Sequence, residues 1–399
     1  MKPISNLPGL RIRPIITGAW YNRVNTIPPF DLSEQFKSIG AEINQAVLEV
    51  LASGRYIGGA AIEKFETQFA QYIGSEIAIA CNSGTDALFL AFRALGIGAG
   101  DEVITSPFTF IATAETISAV GATPVFIDID PNTFNLDLDQ IESAITAKTK
   151  AIVPVHLFGQ PVDMTRLMAI ANAHNLFVIE DCAQATGAEW AGKRVGSIGQ
   201  IGCFSFYPTK NLGACGDGGA ITTNGPKLAA KLKMLRDHGR YSGYYHEELG
   251  VNSRLDAVQA VILQIKLRYL DRWNQQRQAI ADRYHSLLAP IPGITAPQSL
   301  EGGLSVWNQY TIRVEHEYSV QQSYRDKLKN DLQAKGVNTM IYYPLPLHLQ
   351  PVYKSLGYQP GQLPESDRAA NQVLSLPMFP ELSHEQQNQV VYSLKDCLS

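Results

Sequence analysis

The chain lacks any apolar run approaching the ~20 residues that a membrane-crossing helix requires, so no membrane span is expected. Cysteine is scarce. Five cysteines (Cys81, Cys182, Cys203, Cys215 and Cys397) are odd in number and show no Cys-x-x-Cys spacing, which points to neither a disulfide framework nor a zinc site. They read as small packing residues in a reducing compartment. The eight histidines are scattered without ligand spacing, so metal hydrolysis has no support and no metal site is expected. No Gly-x-Gly-x-x-Gly follows an early strand, which argues against a Rossmann dehydrogenase. An excess of one charge is missing too: 33 basic against 37 acidic residues leave a net charge of −4, with no electrostatic case for nucleic acid. The N-terminus scatters Lys2, Arg11, Arg13 and Arg23 among prolines and glycines, without the continuous apolar core of a signal peptide. A cytoplasmic protein is expected.

What is present suits a globular chain of two or three domains, with 399 residues of which 45% are hydrophobic. Apolar runs at Glu102–Thr105, Pro124–Asp128, Ala151–Val155 and Phe177–Ile179 alternate with helical patterns such as Phe110–Ala119 and Met164–Ala173. Strand and helix taking turns predict parallel βαβ units with helices on both faces. Residues 26–260 therefore read as one large α/β domain with a mostly parallel sheet, after an N-terminal extension of residues 1–25. A long helical pattern from Arg254 to about Leu287 leads out of it, and Pro290-Ile-Pro-Gly293 marks a break. Residues 261–399 form a smaller C-terminal α+β unit, with strands expected at Asn308–Val314 and Asn338–Tyr342 and a helix at Ser319–Lys335 between them.

Three segments carry chemistry. Lys210 sits in Phe204-Ser-Phe-Tyr-Pro-Thr-Lys-Asn-Leu-Gly213, an apolar setting that runs on into further glycines. Desolvation disfavours an ammonium there, and a neutral amine condenses with an aldehyde to a Schiff base. By itself the residue reads equally as a solvated loop lysine. The run Phe177-Val-Ile-Glu-Asp181-Cys-Ala-Gln184 reads as a buried strand ending in carboxylates, at the sheet edge where open α/β folds gather ligand groups. Upstream, Ile77–Ala80 passes through Cys81-Asn-Ser-Gly-Thr-Asp86 into a helix. The free N–H groups and positive dipole of such a helix start can cradle a phosphate, with Ser83 and Thr85 adding hydroxyls. Alone, that segment is also an ordinary N-cap.

A phosphate cradle, a strand-end carboxylate and an activated lysine are together what pyridoxal 5'-phosphate requires of a protein. The motifs Ser83–Leu88, Glu180–Gln184, Phe204–Lys210, Gly216–Gly219 and Gly250–Asp256, in that order, resemble the DegT/DnrJ/EryC1/StrS sugar aminotransferases, of the aspartate-aminotransferase-like group, from about Ile27 to the C-terminus. The resemblance implies the fold type I of pyridoxal-phosphate transferases. It implies that Lys210 holds the cofactor as a Schiff base and then moves the proton between substrate and cofactor, and that Asp181 pairs with the pyridine nitrogen. It further implies phosphate binding by Ser83, Gly84, Thr85 and Ser205, an aromatic ring, Phe110, on the cofactor face, and Gln184 at the ring oxygen or framing the substrate. Asn252 and Arg254 match residues that enter the site from a neighbouring subunit, so a homodimer is implied.

For substrates the resemblance implies L-glutamate as amino donor and a keto-sugar on a nucleoside diphosphate as acceptor, with the cofactor passing through its pyridoxamine form. Asn211–Asp217 and Tyr343–Gln350 are similar to enzymes aminating sugar carbon 3. Tyr343 and His348 are candidates for the nucleotide-sugar pocket, whereas Tyr342 departs from the histidine common at its position. Arg236–His246, rich in glycine and tyrosine, reads as a flap or as a dimer-contact loop, and Arg254, Arg240 and Lys193 as possible partners for pyrophosphate. A sugar dehydratase-like lyase and a non-catalytic regulator are the alternatives. The first is disfavoured by lysine at 210, where dehydratase relatives carry histidine; the second by retention of lysine, carboxylate and cradle together.

Overall fold

The computed structural model describes residues 26–315 and 324–398; the expected N-terminal extension and the first residues of the expected Ser319–Lys335 helix lie outside them. Seven strands build the main sheet: β1 (Ile77–Cys81), β2 (Glu102–Thr105), β3 (Thr123–Phe126), β4 (Thr149–Val153), β5 (Phe177–Asp181), β6 (Ile201–Ser205) and β7 (Gly219–Thr223). Their order is β1-β7-β6-β5-β4-β2-β3. Helices α1 (Ser33–Ser53), α2 (Ala60–Ile73), α3 (Gly84–Leu95), α4 (Ala112–Ala119), α5 (Met164–Ala173) and α6 (Pro226–Arg236) accompany it.

β7 is the exception to the parallel pattern, running antiparallel to both β1 and β6. The connection explains it. β6 and β7 are joined by residues 206–218, a doubled-back loop closed by Phe206 N–H to Gly218 O (2.7 Å) and Ala214 N–H to Phe206 O (2.7 Å). A loop that returns without a helical crossover must bring its second strand back antiparallel. Lys210 lies in this loop.

Side-chain alternation along β6 sets which groups reach the site. Phe204 and Phe206 are fully buried and pack with Phe65 and Phe69 of α2, with ring centroids 5.0–5.6 Å apart. Ser205, between them, turns to the opposite face. Burial of each ring contributes about 1.5–3 kcal/mol, so the two phenylalanines hold the register that presents Ser205.

The expected helix Arg254–Leu287 is two helices, α7 (Ala257–Leu267) and α8 (Leu270–Leu288). They serve different cores: α7 buries Ala260 and Leu263 against the α2–sheet cluster, whereas the end of α8 buries Ile280, Ala281, Tyr284 and Leu288 in the core of the second unit. One straight helix cannot face both. That second core also takes in Ile27 and is built on β8 (Ile294–Thr295), β9 (Tyr310–Val314), α9 (Tyr324–Ala334), β10 (Val373–Leu376) and α11 (His384–Leu398), whereas α10 (Pro364–Gln372) buries Ala369 and Ala370 in a separate cluster with Phe108, Phe134 and Phe158. β9 pairs antiparallel with both β8 and β10. The strand expected at Asn338–Tyr342 is absent. Only Met340 bridges to Ser375, and the chain then turns through Tyr342 and Tyr343 toward the sheet's carboxyl edge. Pro344 and Pro346, which have no N–H, prevent a ladder from continuing. Among the described residues, no helix is long and apolar enough to cross a membrane.

Candidate active site

The carboxyl ends of β1, β4, β5 and β6 open on one cleft of about 440 Å³, closed on its far side by Tyr342, Tyr343 and Gln309 from the second unit. Nine of the sequence-predicted residues line it: Ser83, Gly84, Thr85, Phe110, Asp181, Gln184, Ser205, Lys210 and Tyr343.

The cradle is a close fit of backbones. Ser83 caps α3, its hydroxyl accepting from the Asp86 N–H at 3.1 Å. A Cβ on Gly84 would lie 2.7 Å from the Cβ of Ser205, so only glycine lets the helix start approach β6 this closely. Asp86 in turn accepts from the hydroxyl of buried Ser253 at 2.7 Å, and that hydroxyl accepts from Asn82 N–H at 3.3 Å. The Gly250–Asp256 segment thus braces the cradle from behind. Free N–H groups at the start of a 12-residue helix, with Thr85 and Ser205 beside them, suit an anion.

Asp181 ends β5. Its Oδ2 accepts from Thr113 Oγ1 at 2.8 Å and its Oδ1 from Ala183 N–H at 3.1 Å. Burial pushes its pKa above the usual carboxylate range, against the pull of these two bonds and of Lys210 and His156. A bound pyridinium would supply the charge that such a carboxylate needs to stay ionised. Burial likewise pulls Lys210 down to about 8, with Asp181 opposing. A lysine so shifted is a substantial fraction neutral near physiological pH, as a carbonyl-capturing amine must be. Phe110 precedes α4 instead of belonging to it and is 56% exposed, an apolar ring standing open in the cleft 6.5 Å from the Tyr343 ring. Cradle, acid, amine and open aromatic face together fit pyridoxal phosphate.

Gln184 is used across the cleft: its Oε1 accepts from Phe158 N–H at 2.7 Å and its Nε2 donates to the Tyr343 hydroxyl at 3.0 Å. Tyr343 is thereby tied to the large sheet, and burial raises its pKa.

Three expected residues lie elsewhere. His348 is buried 3.2 Å from Asp367, against the Tyr358 ring, and does not line the cleft. The Leu347–Leu349 turn folds it toward Asp367 of α10, away from the cleft. Arg254 donates to Asp237 at 2.6 Å, and Asn252 bridges Asp237 through the backbone; neither reaches the cleft of its own chain. Arg240 also pairs with Asp237, and Lys193 lies on a separate short strand. Within the Arg236–His246 segment, Arg240–His246 forms a small hairpin whose Tyr241, Tyr244 and Tyr245 are all largely exposed.

Several lining residues were given no role by the sequence: Thr113 and Gln309, and also Tyr207, Thr209 and Asp217, which lie inside the quoted motifs. Thr113 is the second residue of α4, and only the tertiary fold, which sets the start of that helix beside the end of β5, brings it to Asp181. Tyr342, despite its departure from the common histidine, lines the cleft. A cluster of His156, Glu180 and Cys182 has metal-holding spacing, yet Glu180 accepts from the N–H groups of Gly196, Ile198 and Gly199 and faces His156 Nε2, while His156 Nδ1 accepts from Val162 N–H. Its donor atoms are already engaged.

Comparison with known proteins agrees with this geometry. The chain is 50% identical over 372 residues to a pleiotropic regulatory protein of Geobacillus stearothermophilus, covering 93% of this chain and 98% of that one. It is 44% identical over 370 residues to the dTDP-3-amino-3,4,6-trideoxy-alpha-D-glucose transaminase of Streptomyces venezuelae, covering 93% and 96%. The crystal structure of S. venezuelae DesV in complex with a ketimine intermediate superposes with a TM-score of 0.89 at 44% identity, covering 93% of this chain and 98% of that one. The sequence model of the DegT/DnrJ/EryC1/StrS aminotransferase family matches residues 37–395, and the chain belongs to that family.

Proposed function

We propose that this pyridoxal-phosphate aminotransferase moves the amino group of L-glutamate to carbon 3 of a keto-sugar carried on a nucleoside diphosphate. The observation that carries the reading is the convergence of Lys210, Asp181 and the Ser83–Thr85 helix start on one cleft. The cofactor, when bound, supplies an electron sink for the carbon that loses its proton. Ser83, Gly84, Thr85 and Ser205 hold its phosphate. Asp181 would keep a proton on its ring nitrogen, and Phe110 would offer an apolar face to the ring. Lys210 Nζ would be the amine that holds the cofactor and would carry the proton at the reacting carbon. Gln184 and Tyr343 frame the sugar. His348 has no part in this assignment.

Carbon 3 is favoured by the Asn211–Asp217 sequence and by the likeness to the S. venezuelae transaminase. Among the described residues lining the cleft, Lys210 alone is cationic. A diphosphate needs more than this, which supports a homodimer in which Asn252 and Arg254 come from the neighbouring subunit. The exposed tyrosines of the 240–246 hairpin are consistent with that contact. Five free cysteines, three of them buried, fit a cytoplasmic setting.

The test is to incubate the cofactor-loaded protein with L-glutamate and either a 3-keto or a 4-keto dTDP-sugar, and to measure 2-oxoglutarate and the amino-sugar nucleotide by mass spectrometry. Amine formation from the 3-keto sugar is expected. Amine from the 4-keto sugar alone would reverse the regiochemistry, and no 2-oxoglutarate with either would overturn the reading.

A further inference from the structure

A chain of three carboxamides runs behind Lys210, outside the cleft. Asn211 Nδ2 donates to Val306 O and to Asn274 Oδ1, both at 2.8 Å. Asn308 Nδ2 donates to Asn211 Oδ1 at 2.8 Å and to Thr209 O at 3.4 Å. Asn274 Nδ2, on α8, donates to Thr186 O at 3.1 Å. Three backbone carbonyls, which can only accept, therefore set the orientation of all three amides. Asn211 and Asn308 are buried, where an unmade bond is costly. Gly187 makes room for the arrangement: at φ +94°, a Cβ there would lie 2.6 Å from Asn274 Nδ2.

The connectivity matters more than the count. Asn308 holds the carbonyl of the residue before Lys210 and the side chain of the residue after it, so the lysine's backbone is gripped on both sides. Asn274 ties the same network to the carbonyl two residues beyond Gln184. None of the three side chains appears in the chemistry proposed above. We propose that Asn211, Asn274 and Asn308 are positioning residues that hold the backbone of Lys210 so that its amine stays at the floor of the cleft. This rests on Lys210 being the amine that captures the cofactor.

Burial is what lowers Lys210, so a loosened loop lets water in and returns the amine toward its ordinary, higher pKa. A midpoint one unit above 8 would cut the neutral fraction at a pH of about 7.5 roughly eight-fold.

The test uses full-length protein stripped of cofactor. It is mixed with pyridoxal phosphate across a pH series and quenched early with borohydride, and the modified Lys210 peptide is quantified by mass spectrometry. In the native protein the capture rate should rise through a midpoint about 8. In Asn274→Ala and Asn308→Ala that midpoint should move upward and capture near neutral pH should fall several-fold. Leu332→Ala, which cuts into the second core away from these amides, controls for general loss of stability and should keep the native midpoint. An unchanged midpoint in both asparagine variants, with the proteins folded by circular dichroism, overturns the inference. So does an equal rise in Leu332→Ala. If native Lys210 is never modified, the assignment of Lys210 itself falls, and the positioning role falls with it.

Discussion

Glu180 and Asp181 are neighbouring carboxylates at the end of one strand, and they have opposite occupations. The period of two along β5 sends their side chains to opposite faces. Glu180 is wholly enclosed: three N–H groups from Gly196, Ile198 and Gly199 converge on it, with His156 alongside. Asp181 receives one hydroxyl and one N–H and looks into the cleft. The same contrast recurs on β6, where Phe204 and Phe206 pack against α2 while Ser205 meets the cradle. Each strand end thus has a face that is fastened and a face that is offered. The lesson is that a residue's chemistry follows from which of its hydrogen-bonding sites the protein leaves unclaimed.

Substitutions on the two faces should therefore separate activity from stability. The largest effect is expected for Lys210→Ala, which should abolish turnover in the amine-transfer assay and eliminate covalent cofactor capture while the melting temperature stays within a few degrees. Asp181→Asn should follow, lowering kcat by about 10²–10⁴-fold, since the amide can still accept from Thr113 but cannot support a proton on the ring nitrogen. Circular dichroism should show the fold intact. On the fastened face, Glu180→Gln should reverse the pattern: a loss of about 1–3 kcal/mol in denaturant unfolding, with the pH dependence of capture by Lys210 unchanged. A loss of turnover comparable to Asp181→Asn without loss of stability would break the comparison. The smallest effect is expected for Tyr343→Phe, which removes one cross-cleft hydrogen bond to Gln184. It should cost about 0.5–1.5 kcal/mol and raise KM for the sugar more than it lowers kcat.

Much of the floor of the site was legible because its residues sit in contiguous strand-turn-helix segments, where a few neighbours dictate the backbone. Ser83-Gly84-Thr85 is a helix start wherever the chain goes, and Asp181 ends a strand on sequence pattern alone. The rim was legible only in part: Tyr343 was expected there, Gln309 was not. Tyr342 and Tyr343 reach the cleft only because the segment expected as a strand turns away after Met340, and His348, five residues on, is folded toward Asp367 of α10 instead. Thr113 is an unremarkable threonine until the fold sets the start of α4 beside Asp181. The break between α7 and α8 was hidden for a related reason: the helical pattern runs on without pause, but its apolar face changes partners from one core to another.

The sequence alone determined the alternating strand and helix order, the amine and carboxylate that line the cleft, and the turn that suits a phosphate, because each depends on residues adjacent in the chain. Only the tertiary structure decided that β7 inserts antiparallel beside β1, bringing the Lys210 loop against the cradle, and that Glu180 is enclosed while Asp181 faces the cleft. It also decided that three asparagines up to 97 residues apart join behind the lysine. Those outcomes depend on which distant surfaces pack together, and packing is set by shape and hydrogen-bond complementarity between segments that local pattern does not encode.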